Sequence, residues 1–342
     1  NGVEVLLKDN PSLQADMVVL AIGVTPDTAL AKEAGLELGI KGSIVVNDRM
    51  ETSVPDIYAA GDAVQVKHYV TGDDALISLA GPANKQGRII ADNICGGDSR
   101  YLGSQGSSVI KVFDMTAATT GINETNAKKS GLEVDTVILS PMSHAGYYPG
   151  GKVMTMKVVF EKETYRLLGA QIIGYEGVDK RIDVLATAIH AGLKATQLKD
   201  LDLAYAPPYS SAKDSVNMAG FMIDNIAKGT LKQWHLEDMD KISKDKSVVL
   251  LDVRTVGEFN RGHMDGFKNI PVDELRERIN EIEKGKPVYL ICQSGLRSYI
   301  ASRILEGNGY ETYNFSGGFR FYDAVVNDRA LIERAYACGM DY

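Results

Sequence analysis

Residues 52–63 read TSVPDIYAAGDA, and this stretch decides the first third of the chain. The apolar run Ile57, Tyr58, Ala59 and Ala60 predicts a short buried strand that ends at Gly61 and Asp62. Pro55 fixes the entry to that strand, Gly61 has no side chain to hold a ligand away, and Asp62 offers a carboxylate to hydroxyl groups. A carboxylate at a strand end can hold a sugar-like chain in this way. The same residues also suit an ordinary strand-to-turn junction, because turns favour both Gly and Asp.

The rest of the chain bounds what such a site could belong to. With 342 residues, 44% of them hydrophobic, there is length for two or three domains with cores. A net charge of -8 and the lack of a long basic run argue against nucleic acid or an anionic membrane surface as the main partner. No apolar run reaches the roughly 18 residues of a membrane span, and no signal peptide opens the chain. Cys95, Cys292 and Cys338 are odd in number and far apart, so no disulfide framework and no metal pattern is expected, and a reducing cytoplasm fits best. Residues 3–7 alternate like a strand, and residues 16–23 (DMVVLAIG) form the continuous apolar run of a buried parallel strand. No GxGxxG pyrophosphate turn occurs. The expectation is the C-terminal part of a longer protein.

The string TSVPDIYAAGDA resembles the second FAD fingerprint of the pyridine nucleotide-disulfide oxidoreductases. The resemblance implies that Asp62, with Gly61 beside it, anchors the ribityl chain of FAD. Just upstream, a strand over residues 17–23, a turn at Val24, Thr25 and Pro26, and a helix capped near Asp27 resemble the end of the NAD(P)H domain of the same enzymes. Downstream, residues 78–97 read SLAGPANKQGRIIADNICGG. Pro82 suits a first helical position, Ala83, Gly87 and Ala91 share a face, and Gly96-Gly97 supply a stop. A small-residue face allows close packing, and a helix N-terminus stabilises an anion in front of it. A plain close-packed helix pair would explain the face equally well. In the family this helix aims at the flavin pyrimidine, which implies Ala80 and Pro82 as cofactor contacts. Cys95, in its last turn, reads as structural.

Residues 99–108 read as a linker, and an α+β pattern follows. A strand is predicted over residues 109–113, a short helix capped by Asn123 and ended by Gly131, and a strand over residues 134–139. Residues 153–160 and 167–173 form a hairpin, and a helix carries Ile182, Leu185, Ala186 and Ile189 up to Gly192. This block resembles the dimerisation domain of the same reductases, which implies a homodimer. Two tyrosine motifs lie in it: SHAGYYPGG, with Tyr147 and Tyr148, and AYAPPYSSAKDSVNMAG, with Tyr205, Tyr209 and Lys213. A phenol in a loop stiffened by Pro207-Pro208 can give a proton or hydrogen bond to a thiolate, although Gly- and Pro-flanked tyrosines also serve as plain loop anchors. The second motif resembles that of coenzyme A disulfide reductases. By that resemblance Tyr147 and Tyr205 are the catalytic pair acting across the dimer, with Tyr148 and Tyr209 as second choices, and Lys213 and Asn84 contact CoA.

A further domain is predicted from about Leu231, after a helix carrying Val216, Ile223 and Ile226 and ended by Gly229. A strand over residues 248–253 leads to DVRTVGEFNRGHMDGFKNIP, a helix is predicted over residues 273–283, and the strand VYLI delivers Cys292. The loop CQSGLR, Cys292 to Arg297, is followed at once by a helix. A strand-end cysteine ringed by loop amides can carry a negatively charged sulfur, though such cysteines are often small core residues. The loop and its upstream motif resemble rhodaneses, which implies Cys292 as persulfide carrier and Arg297 as support for the loop and its anion. Asp252, Arg254 and His263 read as scaffold, and Cys338 as inert.

The expected fold class is therefore α/β and α+β: the end of a two-dinucleotide-binding flavoprotein core (residues 1–100), an α+β dimerisation domain (101–229) and an α/β rhodanese domain (230–342). The resemblance implies an FAD- and NAD(P)H-dependent reductase of CoA disulfide, CoA persulfide or polysulfide, coupled to sulfur transfer. A flavin-free sulfur-carrier module on a dimer scaffold is the alternative.

Overall fold

The structure, a computed structural model, describes residues 2–8 and 10–326. It falls into two compact units. One comprises the chain up to His68 with Asp73–Ser104, and the other takes Tyr69–Gly72 and everything from Gln105 onwards.

In the first unit, β1 (Val3–Val5) and β2 (Leu13–Ala15) form an antiparallel pair. After α1 (Ala29–Glu33), the strands β3 (Ile44–Val45), β4 (Val64–Lys67) and β5 (Asp74–Ala75) make a small sheet, β3 parallel and β5 antiparallel to β4. The long helix α2 (Ala80–Ile94) covers it, burying Met50, Val64 and Val66 with Ile89 and Ile90 of the helix. Three expectations are corrected here. Residues 17–24 form no strand, and Met17, Val19, Leu20 and Ile22 are each more than three-quarters exposed. A parallel strand draws its backbone hydrogen bonds from neighbours, and among the described residues none pairs with this run. The helix after it begins at Ala29, with Thr28 rather than Asp27 at its N-cap position. Residues 57–60 are not a buried strand either: Tyr58 makes a single bridge to Glu51, Ile57 is 37% exposed, and the true strand, β4, follows Gly61 and Asp62 instead of preceding them.

The second unit opens with β6 (Ser108–Val112), β7 (Met115–Gly121), α3 (Glu124–Lys129), β8 (Val134–Leu139), β9 (Met154–Glu161) and β10 (Leu167–Gly174). They form an antiparallel sheet in the order β6-β7-β10-β9-β8. The predicted hairpin is β9 and β10, and Asn123 caps α3 by accepting from the N–H of Asn126 at 2.8 Å. The unpredicted strand is β7, whose buried residues are Ala118 and Thr120, so it shows no apolar alternation. Helices α4 (Val178–His190) and α5 (Ser215–Ala227) bury Ile182, Leu185, Val216 and Ile223 in a core with Met156, Val158 and Ile172 of the sheet.

The same unit continues through β11 (Gln233–Trp234), α6 (Met239–Ile242), β12 (Val249–Asp252), α7 (Val256–Arg261), β13 (Lys268–Asn269), β14 (Val288–Ile291), α8 (Leu296–Glu306) and β15 (Thr312–Phe315). Its sheet is wholly parallel, in the order β11-β15-β14-β12-β13. Successive residues feed opposite faces: Leu251 and Leu290 join one core with Ala301 and Leu305, while Ile291 joins another with Trp234, Phe267 and Phe315. The two sheets of the unit are tied together at β8. Gln233 and His235 both reach the Asp135 carboxylate, at 3.1 and 3.2 Å, and the Ile138 N–H donates to Ser316 Oγ at 3.1 Å. Residues 273–283 are not the expected helix. They form successive turns closed mainly by i to i+3 bonds and a short 3-10 segment (Ile279–Glu281), which bury Leu275 and Ile282 as the spacing required without an α-helical ladder.

Candidate functional site

Three groups of predicted residues take shape, each within one compact unit. The most closed surrounds Cys292. Strand β14 ends at Ile291, the chain turns through Gly295 at φ +99, and α8 starts at Leu296, two residues earlier than the sequence pattern suggests. Cys292 is 1% exposed. Its Sγ faces the backbone N–H of Gly295 at 3.1 Å and the hydroxyl of Ser298 at 3.2 Å. Ser298 has one proton and a second acceptor, the Gly295 carbonyl at 3.1 Å, which also receives the Asn314 amide at 3.2 Å.

The loop is strapped from behind. The N–H of Phe319 donates to Cys292 O at 2.8 Å and that of Arg320 to Gln293 O at 3.2 Å. This approach requires Gly318, at φ +69, where a Cβ would lie 2.7 Å from Gln293 O. The expected scaffold pair is present: Asp252 and Arg254, 0% and 1% exposed, are joined at 2.7 Å, and Arg254 also donates to Gly262 O and stacks 3.8 Å over Phe319. His263, by contrast, is exposed and stacked on Phe259, so it is no buried scaffold residue.

Arg297 does not face solvent alone. Its two terminal nitrogens donate to the two carboxylate oxygens of Glu258, both at 2.7 Å. Glu258 closes the capping box of α7, accepting from the Thr255 N–H at 3.0 Å and hydroxyl at 2.9 Å. The Arg297 bond, ahead of the Thr255 bonds, holds the Glu258 carboxyl down at about 2. Glu258 was missed in the sequence, although Thr255-x-x-Glu258 is a legible capping-box signal.

The second group is the tyrosine pair. Tyr147 and Tyr205, 58 residues apart, bring their hydroxyls to 2.8 Å, and both rings are exposed. The Tyr147 hydrogen bond raises Tyr205 above the usual tyrosine range. Tyr148 instead packs edge-on against His144, and Tyr209 is exposed. The pair is held by residues that sequence reasoning missed. Arg181 of α4, 1% exposed, donates to Asp214 at 2.8 Å and to Ser143 O at 2.8 Å, while the Ala145 N–H binds Ser210 O. Burial opposes the Asp214 charge, but the Arg181 and Ser210 hydrogen bonds outweigh it and keep its carboxyl below the ordinary range. Asp214 also caps α5 through the Val216 N–H at 3.0 Å. Beside the pair lies a cleft of about 500 Å³, lined by His144, Lys180, Arg181, Tyr205 and Tyr209 among others. Lys213 is exposed, its ammonium 5.7 Å from the centre of the Phe221 ring.

The third group lies in the first unit. Gly61 takes φ +83, its N–H donates to the buried Gln86 side chain at 2.7 Å, and a Cβ there would sit 3.9 Å from Ala83 of α2. The Gly61-Asp62 turn therefore rests on the first turns of α2, which begins after Leu79 with no side-chain cap. Pro82 stands at the third helical position rather than the first, where its missing N–H is still without cost. Asp62 is exposed, and among the described residues no side chain engages its carboxylate. Of the small-residue face only Ala83 is packed; Gly87 and Ala91 are exposed. Asn84 is exposed and donates to Ala80 O at 2.9 Å, within its own helix. Cys95 is exposed, and Cys338 lies outside the described residues.

Sequence and structure comparisons agree with this order of parts. Residues 1–87 match the pyridine nucleotide-disulphide oxidoreductase model, residues 107–216 the dimerisation domain of that family, and residues 235–324 the rhodanese-like domain. A CoA-dependent NAD(P)H sulfur oxidoreductase of Pyrococcus furiosus is 39% identical over 212 residues, covering 62% of this chain and 48% of the relative. A coenzyme A disulfide reductase of Staphylococcus aureus is 36% identical over 65% of this chain and 50% of its own length. The chain thus spans about half the length of the curated relatives it matches. Among solved structures, reduced Bacillus anthracis CoADR-RHD superposes with a TM-score of 0.92 at 47% identity, covering 95% of this chain and 58% of that one. A NAD-dependent persulfide reductase from A. fulgidus gives 0.83 at 42% identity, over 91% and 56%. Through these matches the chain carries, in order, part of a pyridine nucleotide-disulphide oxidoreductase domain, the dimerisation domain of that family and a rhodanese-like domain.

Proposed function

We propose that this chain serves an FAD- and NAD(P)H-dependent reductase of CoA disulfide, CoA persulfide or polysulfide, coupled to sulfur transfer at Cys292. The observation that carries the sulfur half is the Cys292 thiol, enclosed at 1% exposure with an N–H and an O–H aimed at its sulfur. Such donors suit a cysteine that must act as nucleophile and then hold a negatively charged outer sulfur. In the transfer step the Cys292 thiolate attacks the outer sulfur of R–S–SH. A new S–S bond forms, the old one breaks, and the thiolate RS⁻ leaves with the electron pair while the proton stays on the transferred sulfur.

For the reductase half, the left-handed turn at Gly61, the unpartnered Asp62 carboxylate and the uncapped first turn of α2 with Ala80 and Pro82 fit one side of a flavin. FAD bound there supplies hydride acceptance from NAD(P)H and electron delivery towards sulfur. Asp62 holds a hydroxylated chain, and the α2 N-terminus favours negative charge in front of it. Tyr147 and Tyr205, in the domain that pairs subunits of a homodimer, share a proton between their hydroxyls and so can give one to a departing thiolate. Lys213 and Asn84 are assigned to CoA, Lys213 through its charge and Asn84 through the part of its amide not used within α2. The relatives' names favour a CoA-linked sulfur substrate.

A second reading, a flavin-free sulfur carrier on a dimer scaffold, is favoured by one contrast. The Cys292 sulfur has two donors from the chain itself, whereas among the described residues no side chain engages the Asp62 carboxylate. The test is NAD(P)H oxidation by the protein, supplied with FAD, in the presence of CoA disulfide, CoA persulfide or polysulfide. Oxidation that requires the sulfur substrate is expected once the chain is extended to the full length of its relatives. Sulfur loading on Cys292 with no such oxidation supports the carrier reading instead.

A further inference from the structure

The charges around the Cys292 loop are arranged in pairs. Arg254 is buried against Asp252 at 2.7 Å. Arg297, the last residue of the loop, is clamped end-on by both oxygens of Glu258, and Glu258 is itself fixed by two bonds from Thr255. Neither guanidinium can turn to an incoming anion without abandoning a carboxylate. His263 is stacked on Phe259 with its Nδ1 at Phe259 O, 3.1 Å. Arg320, whose backbone N–H binds Gln293 O, is a further basic residue beside the loop, and among the described residues it has no carboxylate partner. Apart from Arg320, the loop meets a donor with backbone amides and a helix N-terminus rather than with free cations.

We infer that Glu258 sets which sulfur donors Cys292 accepts, by locking Arg297 into a neutral pair so that the loop takes sulfane sulfur from a thiol-bound persulfide in preference to thiosulfate. This rests on the reading of Cys292 as the sulfur carrier. Thiosulfate brings two negative charges to the loop and leaves as sulfite. Its step is Cys292-S⁻ + S–SO₃²⁻ giving Cys292-S–S⁻ + SO₃²⁻, with no net oxidation and no proton moved. All of the negative charge stays on small groups next to the loop, so a free guanidinium is worth most there. A small persulfide carries at most one charge, and the thiol that leaves is less demanding. Arg297 is ideally shaped for bidentate recognition of sulfite-like oxygens, and Glu258 already occupies that fork. Glu258 is thus a positioning residue that acts on the donor through Arg297.

The experiment measures the rate of sulfur loading on Cys292 by quenched-flow intact mass, in the 342-residue chain, with thiosulfate and with 2-hydroxyethyl persulfide as donors. In Glu258→Gln the thiosulfate kcat/KM should rise about tenfold relative to the persulfide value, mostly through a lower KM, because a released Arg297 pairs with the dianion. The gain should vanish in Glu258→Gln/Arg297→Gln, and Glu258→Asp should keep most of the wild-type preference. If Glu258 only braces α7, both donors fall together, the ratio stays put, and the inference is overturned. Wild-type protein that gains no sulfur on Cys292 from either donor overturns the carrier reading, and the inference with it.

Discussion

The turn at Gly61 and the loop at Cys292 are built from the same parts, a strand, a glycine in the left-handed region and a helix N-terminus, yet they stand in opposite states. At Cys292 the sulfur, the carbonyls of Cys292, Gln293 and Gly295 and the Arg297 guanidinium all have partners, and the cysteine is 1% exposed. At Gly61 the backbone is tied to Gln86, but the Asp62 carboxylate is open and without a side-chain partner among the described residues. In the same unit, most of the apolar residues of 17–24 lie exposed. The difference teaches that a backbone turn can be specified locally while the side chains around it stay open. Loop and helix at Cys292 come from one stretch, and their supports, Phe319, Arg320 and Glu258, come from segments of the same compact unit.

The largest expected effect breaks or keeps the closed side of that contrast. Cys292→Ser should abolish sulfur loading from thiosulfate or a persulfide, because an alkoxide cannot form and release a persulfide sulfur. Intact mass after donor treatment decides it, and a sulfur adduct persisting in the variant, or mapped to Cys338, would refute the assignment. Next in size, Arg181→Met leaves Asp214 and Ser143 O buried without their partner. Urea unfolding should show a loss of about 3–5 kcal/mol, the usual cost of breaking a buried pair from one side. A midpoint unchanged from wild type would mean that Arg181 does not hold the tyrosine loops together.

On the open side, FAD added to this chain should bind weakly or not at all, since in the proposed reading Asp62 and α2 would reach only one side of it. Stoichiometric flavin surviving gel filtration would erase the contrast. A smaller effect tests the Glu258 clamp. Its carboxyl sits at about 2 against an ordinary 4.5, a folded value below the unfolded one. The pair therefore stabilises fully above about 4.5 and loses that contribution as pH falls towards 2. The Tm gap between wild type and Glu258→Gln, present at neutral pH, should close over that window; a gap of constant size would assign it to some other cause. The smallest effect is spectroscopic. Tyr147→Phe removes the hydrogen bond that raises Tyr205, so the Tyr205 phenol should titrate at lower pH in ultraviolet absorbance. An unchanged titration would show that the pair does not persist in solution.

What could be read from the sequence was what neighbouring residues decide. Strand, loop and helix at Cys292, the β9–β10 hairpin and the end of α5 at Gly229 all follow from apolar period, glycine and turn chemistry within a few residues. The pairing of Tyr147 with Tyr205 was legible only through its resemblance to a family motif. The residues that hold each site were not legible, because they act at a distance: Glu258 reaches Arg297 across 39 positions and Arg181 reaches Asp214 across 33. Strand β7 escaped because its inward residues are Ala and Thr. Residues 17–24 misled for a converse reason: the apolar run is strand-like, but period alone supplies no neighbouring strand.

The strap over Cys292 also bears on the order in which the polypeptide is made. Phe319 and Arg320 clasp the loop from behind, and β15 slots between β11 and β14, strands that precede it in the chain. On the ribosome, Cys292 emerges before the glycines that seat its loop and before the strand that completes its sheet. Until Gly318 follows, the thiol has its nearest amide but not its finished enclosure. A nascent chain therefore carries this cysteine through synthesis as an unguarded thiol, and its enclosure is complete only when the segment after the last strand has docked.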